Sequence, residues 1–210
     1  MKVNLKTMIS KLLKKQKEYK RIKFFTSIGI GLAVVVTIIV VVCFKHHQNN
    51  VASTKLASAY VAFSQGNQKQ GVELLDETIA NYTKMPAAYQ ARLLKADIFT
   101  QIGAYEEALK LLNDTVKDAK PEKIKPLAQV RIIYVFDTKQ DYFNAINASK
   151  EFIDKYPSHF LIKDVYLNLA EYYLLSGSKD EAVKTFNEIL INFPATLEAE
   201  KAQNRINEIK

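Results

Sequence analysis

From position 66 onward the chain repeats itself every 37 residues. Gly66, Gly103, Gln140 and Gly177 fall at that interval. So do Gly71, Ala108, Ala145 and Ala182, and, ahead of each turn, Ala59, Ala96, Ile133 and Ala170. Ala62, Phe99, Phe136 and Tyr173 form a further series, as do Ile79, Val116, Ile153 and Leu190, and Pro157 and Pro194 share the spacing. Gln140 and Ile133 are the departures from otherwise small residues. A period of this length is the mark of stacked supersecondary units, each unable to bury its apolar face alone.

The stretch GSKDEAVKTFNEILINFP, residues 177–194, shows what one unit contains. Glycine permits the positive φ at which a helix ends and the chain reverses. Asp180 and Glu181 follow, favourable at the positive end of a new helix dipole. Ala182, Phe186, Ile189 and Leu190 then make one apolar helical face, and Pro194 ends it. The unit is therefore a turn and the second helix of a hairpin. Small residues on both helices let the backbones approach, while Phe, Tyr and Leu fill the space toward the next hairpin. The expected fold is all-α, with hairpins over 52–88, 89–125, 126–162 and 163–194. A last helix, 195–210, caps the stack with Leu197, Ala202, Ile206 and Ile209, while Glu198, Lys201, Arg205 and Glu208 face water.

Ahead of the repeats lies FFTSIGIGLAVVVTIIVVVCF, residues 24–44, without a charge. A helix of that length spans roughly 30 Å, the thickness of a bilayer core. Of 30 Lys and Arg, nine lie in residues 1–23, and of 22 acids only Glu18 does, so the net charge of +8 belongs to this flank. The rest is balanced, which argues against a nucleic-acid-binding domain. The bias predicts a cytoplasmic segment 1–23, a transmembrane helix 24–44, a linker 45–51 and an extracytoplasmic or periplasmic remainder, single-pass in the inner cell membrane. A cleaved signal ending near Val51–Ser53 is the alternative, although the apolar run exceeds a usual signal core. Leu5, Met8, Ile9, Leu12 and Leu13 share a face amid lysines; the segment is either a helix on the anionic leaflet or a retention signal alone. Ser27 and Gly31, one turn apart, are compatible with a homodimer in the bilayer. The single cysteine, Cys43, excludes an internal disulfide.

No pattern calls for catalysis, a cofactor or a metal. His46 and His47 lack acidic or cysteine companions, and His159 lies in a link between hairpins. The expected functional feature is a concave face made by the first helix of each hairpin. Positions five, nine and twelve of each unit should line it: Leu56, Tyr60, Phe63; Leu93, Asp97, Thr100; Val130, Tyr134, Asp137; Leu167, Glu171, Leu174. Aromatic, aliphatic and acidic groups together suit a protein or peptide segment with some basic character.

The pattern resembles the tetratricopeptide repeat over residues 52–194. The last unit carries most of the signature, in Tyr166, Leu169, Ala170, Tyr173, Gly177, Ala182, Phe186 and Pro194. The second follows with Ala96, Phe99, Gly103, Tyr105 and Ala108, while the first and third are degenerate. The period exceeds the usual value of about 34, which lengthens the links between hairpins. The whole layout also resembles the ancillary subunits of the bacterial Sec translocon, through LLKKQKEYKRIKFFTSIGIGLAVVV, AAYQARLLKADIFTQIGAYEEALKLLNDTV and KIKPLAQVRIIYVF. That resemblance implies a membrane-anchored periplasmic scaffold meeting the translocon, chaperones or secreted proteins. The last unit is similar as well to repeats of the Tol–Pal cell-division coordinator and of the lipoprotein assisting outer-membrane barrel assembly. A sensor or accessory subunit signalling through the basic segment is a further alternative.

Overall fold

The computed structural model describes residues 5–209, apart from some side chains of the first helix that precede residue 31. Leu5, Ile9 and Leu12 of the expected amphipathic face, and Ser27 of the expected dimer motif, lie outside the described side chains. Among the described residues there are helices and turns and no strand. The chain divides into two compact units, Met1–Gln48 and Asn49–Lys210.

The helix α1 spans Leu5–Ser64. In the first unit its apolar side chains from Leu32 to Phe44 leave about half their surface exposed. The stretch Gly31–Ser64 is long and apolar enough to cross a membrane, a character shared by spans and signal sequences. Inside it the Thr37 hydroxyl donates to the Ala33 carbonyl at 2.9 Å, so this polar group has a partner that needs no water. Residues 45–51, expected as a linker, are helical within α1, because neither Gly nor Pro interrupts them.

In the second unit the end of α1 is followed by α2 (Gln68–Asn81), α3 (Pro86–Gln101), α4 (Tyr105–Asp118), a short 3₁₀ turn (Glu122–Ile124), α5 (Lys125–Thr138), α6 (Tyr142–Lys155), α7 (Ile162–Leu175), α8 (Lys179–Asn192) and α9 (Leu197–Ile209). From α2 onward each helix packs on the next. In addition, the first helices of successive hairpins touch where α3 meets α5 and where α7 meets α9.

All four tight turns use one geometry. Gly66, Gly103 and Gly177 have φ of 78°, 77° and 82°, and Gln140 holds φ 59° in the same role. In each the backbone N–H of that residue donates to the carbonyl three residues earlier, at 2.8–3.1 Å. The helix starts that follow are stabilised in two alternating ways. Asn67 and Asp141 accept from the backbone N–H of Gln70 and Asn144 as side-chain caps. Ala104 and Ser178 provide no such cap, and there Glu106 and Glu107, or Asp180 and Glu181, occupy the first turn.

The small residues lie where the helices cross. Ala108, Ala145 and Ala182 are fully buried, as are Ala59, Ala96 and Ala170. At Gly71 a Cβ would come within 2.4–2.6 Å of the Phe63 ring. The first hairpin thus sets its ring one residue later than the Phe99, Phe136, Tyr173 series and makes room by omitting a methyl group. Two deeper series complete the core: Leu75, Leu112, Ser149, Phe186 and Thr78, Thr115, Phe152, Ile189, all fully buried. Ser149 stands beside Phe152 where the first two units have Leu beside Thr, so volume is exchanged between neighbours and density kept. The buried hydroxyls of Thr78, Thr100, Thr115, Ser149 and Thr185 each donate to the carbonyl four residues back.

At the far end α9 buries Ala199, Ala202 and Ile206 against α7 and α8. Two expectations for it need correction. Leu197 is 60% exposed and covers nothing. Glu198 is mostly covered and Arg205 partly covered, in ion pairs with Lys163 and Glu171.

Candidate functional site: the face of the first helices

The first helices α3, α5 and α7 present successive turns to a common face. Position nine points outward along it. Tyr60 and Tyr134 are about half exposed, whereas Asp97 and Glu171 are partly covered. Two of the position-nine residues, Asp97 and Glu171, meet the residue 34 places later, on the next first helix. Arg131 Nε donates to both Asp97 oxygens at 2.9 and 3.1 Å, and Arg205 donates to Glu171 through Nε and one Nη at 2.6 and 2.7 Å. These ion pairs, bifurcated at Arg131 Nε and bidentate at Arg205, fall where α3 meets α5 and where α7 meets α9. The corresponding residues between α5 and α7 are Tyr134 and Asn168, which form no ion pair. There the two helices make little direct contact and a cleft opens.

The cleft has a volume of about 270 Å³ and is lined by Val130, Tyr134 and Asp137 of α5, Val165, Asn168 and Tyr172 of α7, with Asp97 and Arg131 at its edge. Tyr134 is 51% exposed, an amphipathic ring free to pack against a ligand. Tyr172 is buried, stacks on Tyr142 at 6.2 Å, and lines the cleft together with Asp137. Burial pushes the Asp137 carboxyl above its ordinary range, and the Tyr172 hydroxyl partly offsets this. Burial likewise raises Asp97, against the pull of Arg131.

The structure sorts the twelve expected groove residues. Val130, Tyr134, Asp137 and Asp97 come together at the cleft. Leu167, Glu171 and Leu174 are partly exposed on α7, the two leucines packing toward α8 and α9 and away from the cleft, and Tyr60 is exposed on α1. Leu56, Leu93 and Thr100 do not line the face: they are 5%, 5% and 2% exposed and belong to the hairpin interiors. Phe63 packs over Gly71 instead of the groove. The expected acidic character also changes, since Asp97 and Glu171 are neutralised by arginines, leaving Asp137 without a cationic partner among the described residues. Sequence reasoning missed Arg131 and Arg205. The signal available was the common 34-residue offset of acid and arginine.

Elsewhere, His159 Nδ1 accepts from the Leu161 backbone N–H at 3.3 Å, and its ring meets Phe152 edge-to-face and lies tilted against Phe160. Burial lowers its proton affinity. It is a packing residue of the link before α7. Among the described residues no group of three or more His, Cys, Asp or Glu is placed to hold a metal ion.

The sequence profile of the tetratricopeptide repeat-like domain matches residues 22–161, and that of the tetratricopeptide repeat matches 164–196. No curated protein of related sequence matches the chain. Similar solved structures include the nearly identical TPR-like repeats of a putative kinesin light chain from Podosopora anserina, at 18% identity and TM-score 0.58, covering 78% of this chain and 91% of that one. A tetratricopeptide repeat protein from Parabacteroides merdae aligns at 13% identity and TM-score 0.60, over 75% of this chain and 59% of that one. MamA aligns at 18% identity and TM-score 0.54, over 75% and 81%. At such identities these likenesses concern the fold.

Proposed function

We propose, from the premise that this chain belongs to the tetratricopeptide repeat-like domain family, that it is a membrane-anchored scaffold holding a segment of another protein against α5 and α7. Repeats of this family serve protein–protein interaction, so the class of ligand follows from the family and the place on the surface is ours. The observation that carries the reading is the cleft at Tyr134. Between α5 and α7 the arginine–carboxylate pairing is interrupted, an exposed aromatic stands over apolar walls, and Asp137 keeps a carboxylate with no cationic partner among the described residues. A peptide laid there would bury the Tyr134 ring and offer a donor to Asp137.

The anchor is residues 24–44, with the basic flank in the cytoplasm and the repeats on the other side of the membrane. The uncharged run, its lysine-rich flank and a family match that begins at residue 22 and so includes the run support this. The resemblance to ancillary translocon subunits supports translocon, chaperone or secreted clients as the partners. A photo-crosslinking residue at position 134, in the intact membrane protein, should capture such a partner, whereas the same residue at Phe143, 75% exposed on α6, should not. Equal capture from both positions, or none from 134, would reject the cleft as the binding surface.

A further inference from the structure

A second recess, of about 520 Å³, lies away from that cleft, between the links that join the second hairpin to its neighbours. Its walls carry four cations: Lys84 from the link before α3, Arg92 on α3, Lys117 at the end of α4, and Lys120 from the link after α4. None of the four takes part in an ion pair among the described residues. Arg92 Nη1 is fully buried and has no hydrogen-bond partner. A buried donor of this kind carries a desolvation penalty that an acceptor would relieve. The Arg92 guanidinium is held in place over the Tyr89 ring, 5.4 Å from its centroid. Tyr89 is fixed in turn, its hydroxyl donating to the Asp118 carbonyl at 3.0 Å. Asp118 opposes an anion here, and one carboxylate faces four positive charges.

We infer that this recess binds a phosphate-class dianion, held by the Arg92 fork and by Lys84, Lys117 and Lys120. A planar guanidinium on the wall, ringed by flexible ammonium groups, is the donor arrangement that phosphate oxygens need, and a small turn of the Arg92 side chain would bring its buried Nη1 to the anion. Lys84 and Lys120 both come from the links between hairpins. The site does not depend on the protein-binding cleft.

The test uses the full chain in neutral detergent micelles at constant ionic strength. Inorganic phosphate, followed by phosphorus-31 line broadening and by calorimetry, should bind saturably. Free phosphoserine serves as a second probe; tighter binding than phosphate would mark a phosphorylated side chain as the natural source, and equal binding a free anion. Lys84→Gln with Lys120→Gln, both surface positions, should weaken phosphate binding by about tenfold or more, and Arg92→Lys should weaken it similarly by removing the fork. Helix content by circular dichroism should be unchanged. Binding that is unsaturable, or unaltered in the double lysine variant, overturns the site. Acetate binding as tightly as phosphate overturns its assignment to a dianion.

Discussion

Gln140 is the residue whose replacement tests the repeat geometry most directly. It occupies the turn position filled by glycine in the other three hairpins, with φ 59° against 77–82°. A side chain in that region costs roughly 1–2 kcal/mol. Glycine would remove this cost but would free the unfolded chain by about 0.4–1 kcal/mol. Gln140 is exposed and its side chain makes no hydrogen bond among the described residues, so no other loss enters. Gln140→Gly should therefore stabilise the repeats by roughly 0.5–1 kcal/mol, equivalent to about 1–4 °C in Tm for a domain of this size. The complementary change is Gly177→Ala. A Cβ there meets nothing within 4 Å, so the expected loss, about 1 kcal/mol, is entirely backbone strain. Thermal unfolding of the full chain in detergent, followed by far-ultraviolet circular dichroism, measures both. If Gln140→Gly lowers Tm while Gly177→Ala also lowers it, the four turns are not equivalent and the reasoning fails.

Further outcomes follow from the same geometry. Gly71→Ala drives a methyl group into the Phe63 ring and should cost about 1–3 kcal/mol; combining it with Phe63→Ala should give less than the sum of the two single losses, as read from urea midpoints. A double-mutant cycle on Asp97 and Arg131, both about one-third exposed, should return a coupling below about 1 kcal/mol, and a value several times larger would mean the pair organises the α3–α5 contact. The Asp137 carboxyl is raised above 3.8 by burial, so the native state keeps its proton longer than the unfolded chain; its contribution to stability is complete below 3.8 and is lost as pH rises through the folded value. Asp137→Asn should therefore gain stability relative to the native protein as pH rises from below 3.8 through the folded value, and a difference that stays constant with pH would contradict the burial assigned to it. Tyr134→Ala should weaken capture of the partner while leaving Tm nearly unchanged, because its ring packs on little within the repeats.

The amino-acid sequence by itself determined the units and their number. Helical periodicity, a turn residue every 37 positions and small side chains at the crossings are local demands, and each can be satisfied in only one kind of hairpin. The turn geometry at Gln140 shows the strength of that demand, since a residue poorly suited to positive φ adopts it when its neighbours require it. Tertiary structure decided which outward positions stay open. Leu93 and Asp97 lie one turn apart on α3, yet one is buried and the other half-covered by an arginine 34 residues away. That arginine arrives because the next hairpin stacks at a particular angle, which no periodicity in α3 encodes. The same is true of Thr78, Thr115 and Ser149, polar in composition but fully buried because their hydroxyls bond within their own helices. It holds also for Arg92, whose unpartnered Nη1 becomes visible only once two links from different units close around it. Burial and electrostatic pairing are sums over neighbours distant in the chain, so they belong to the packed stack and not to any one repeat.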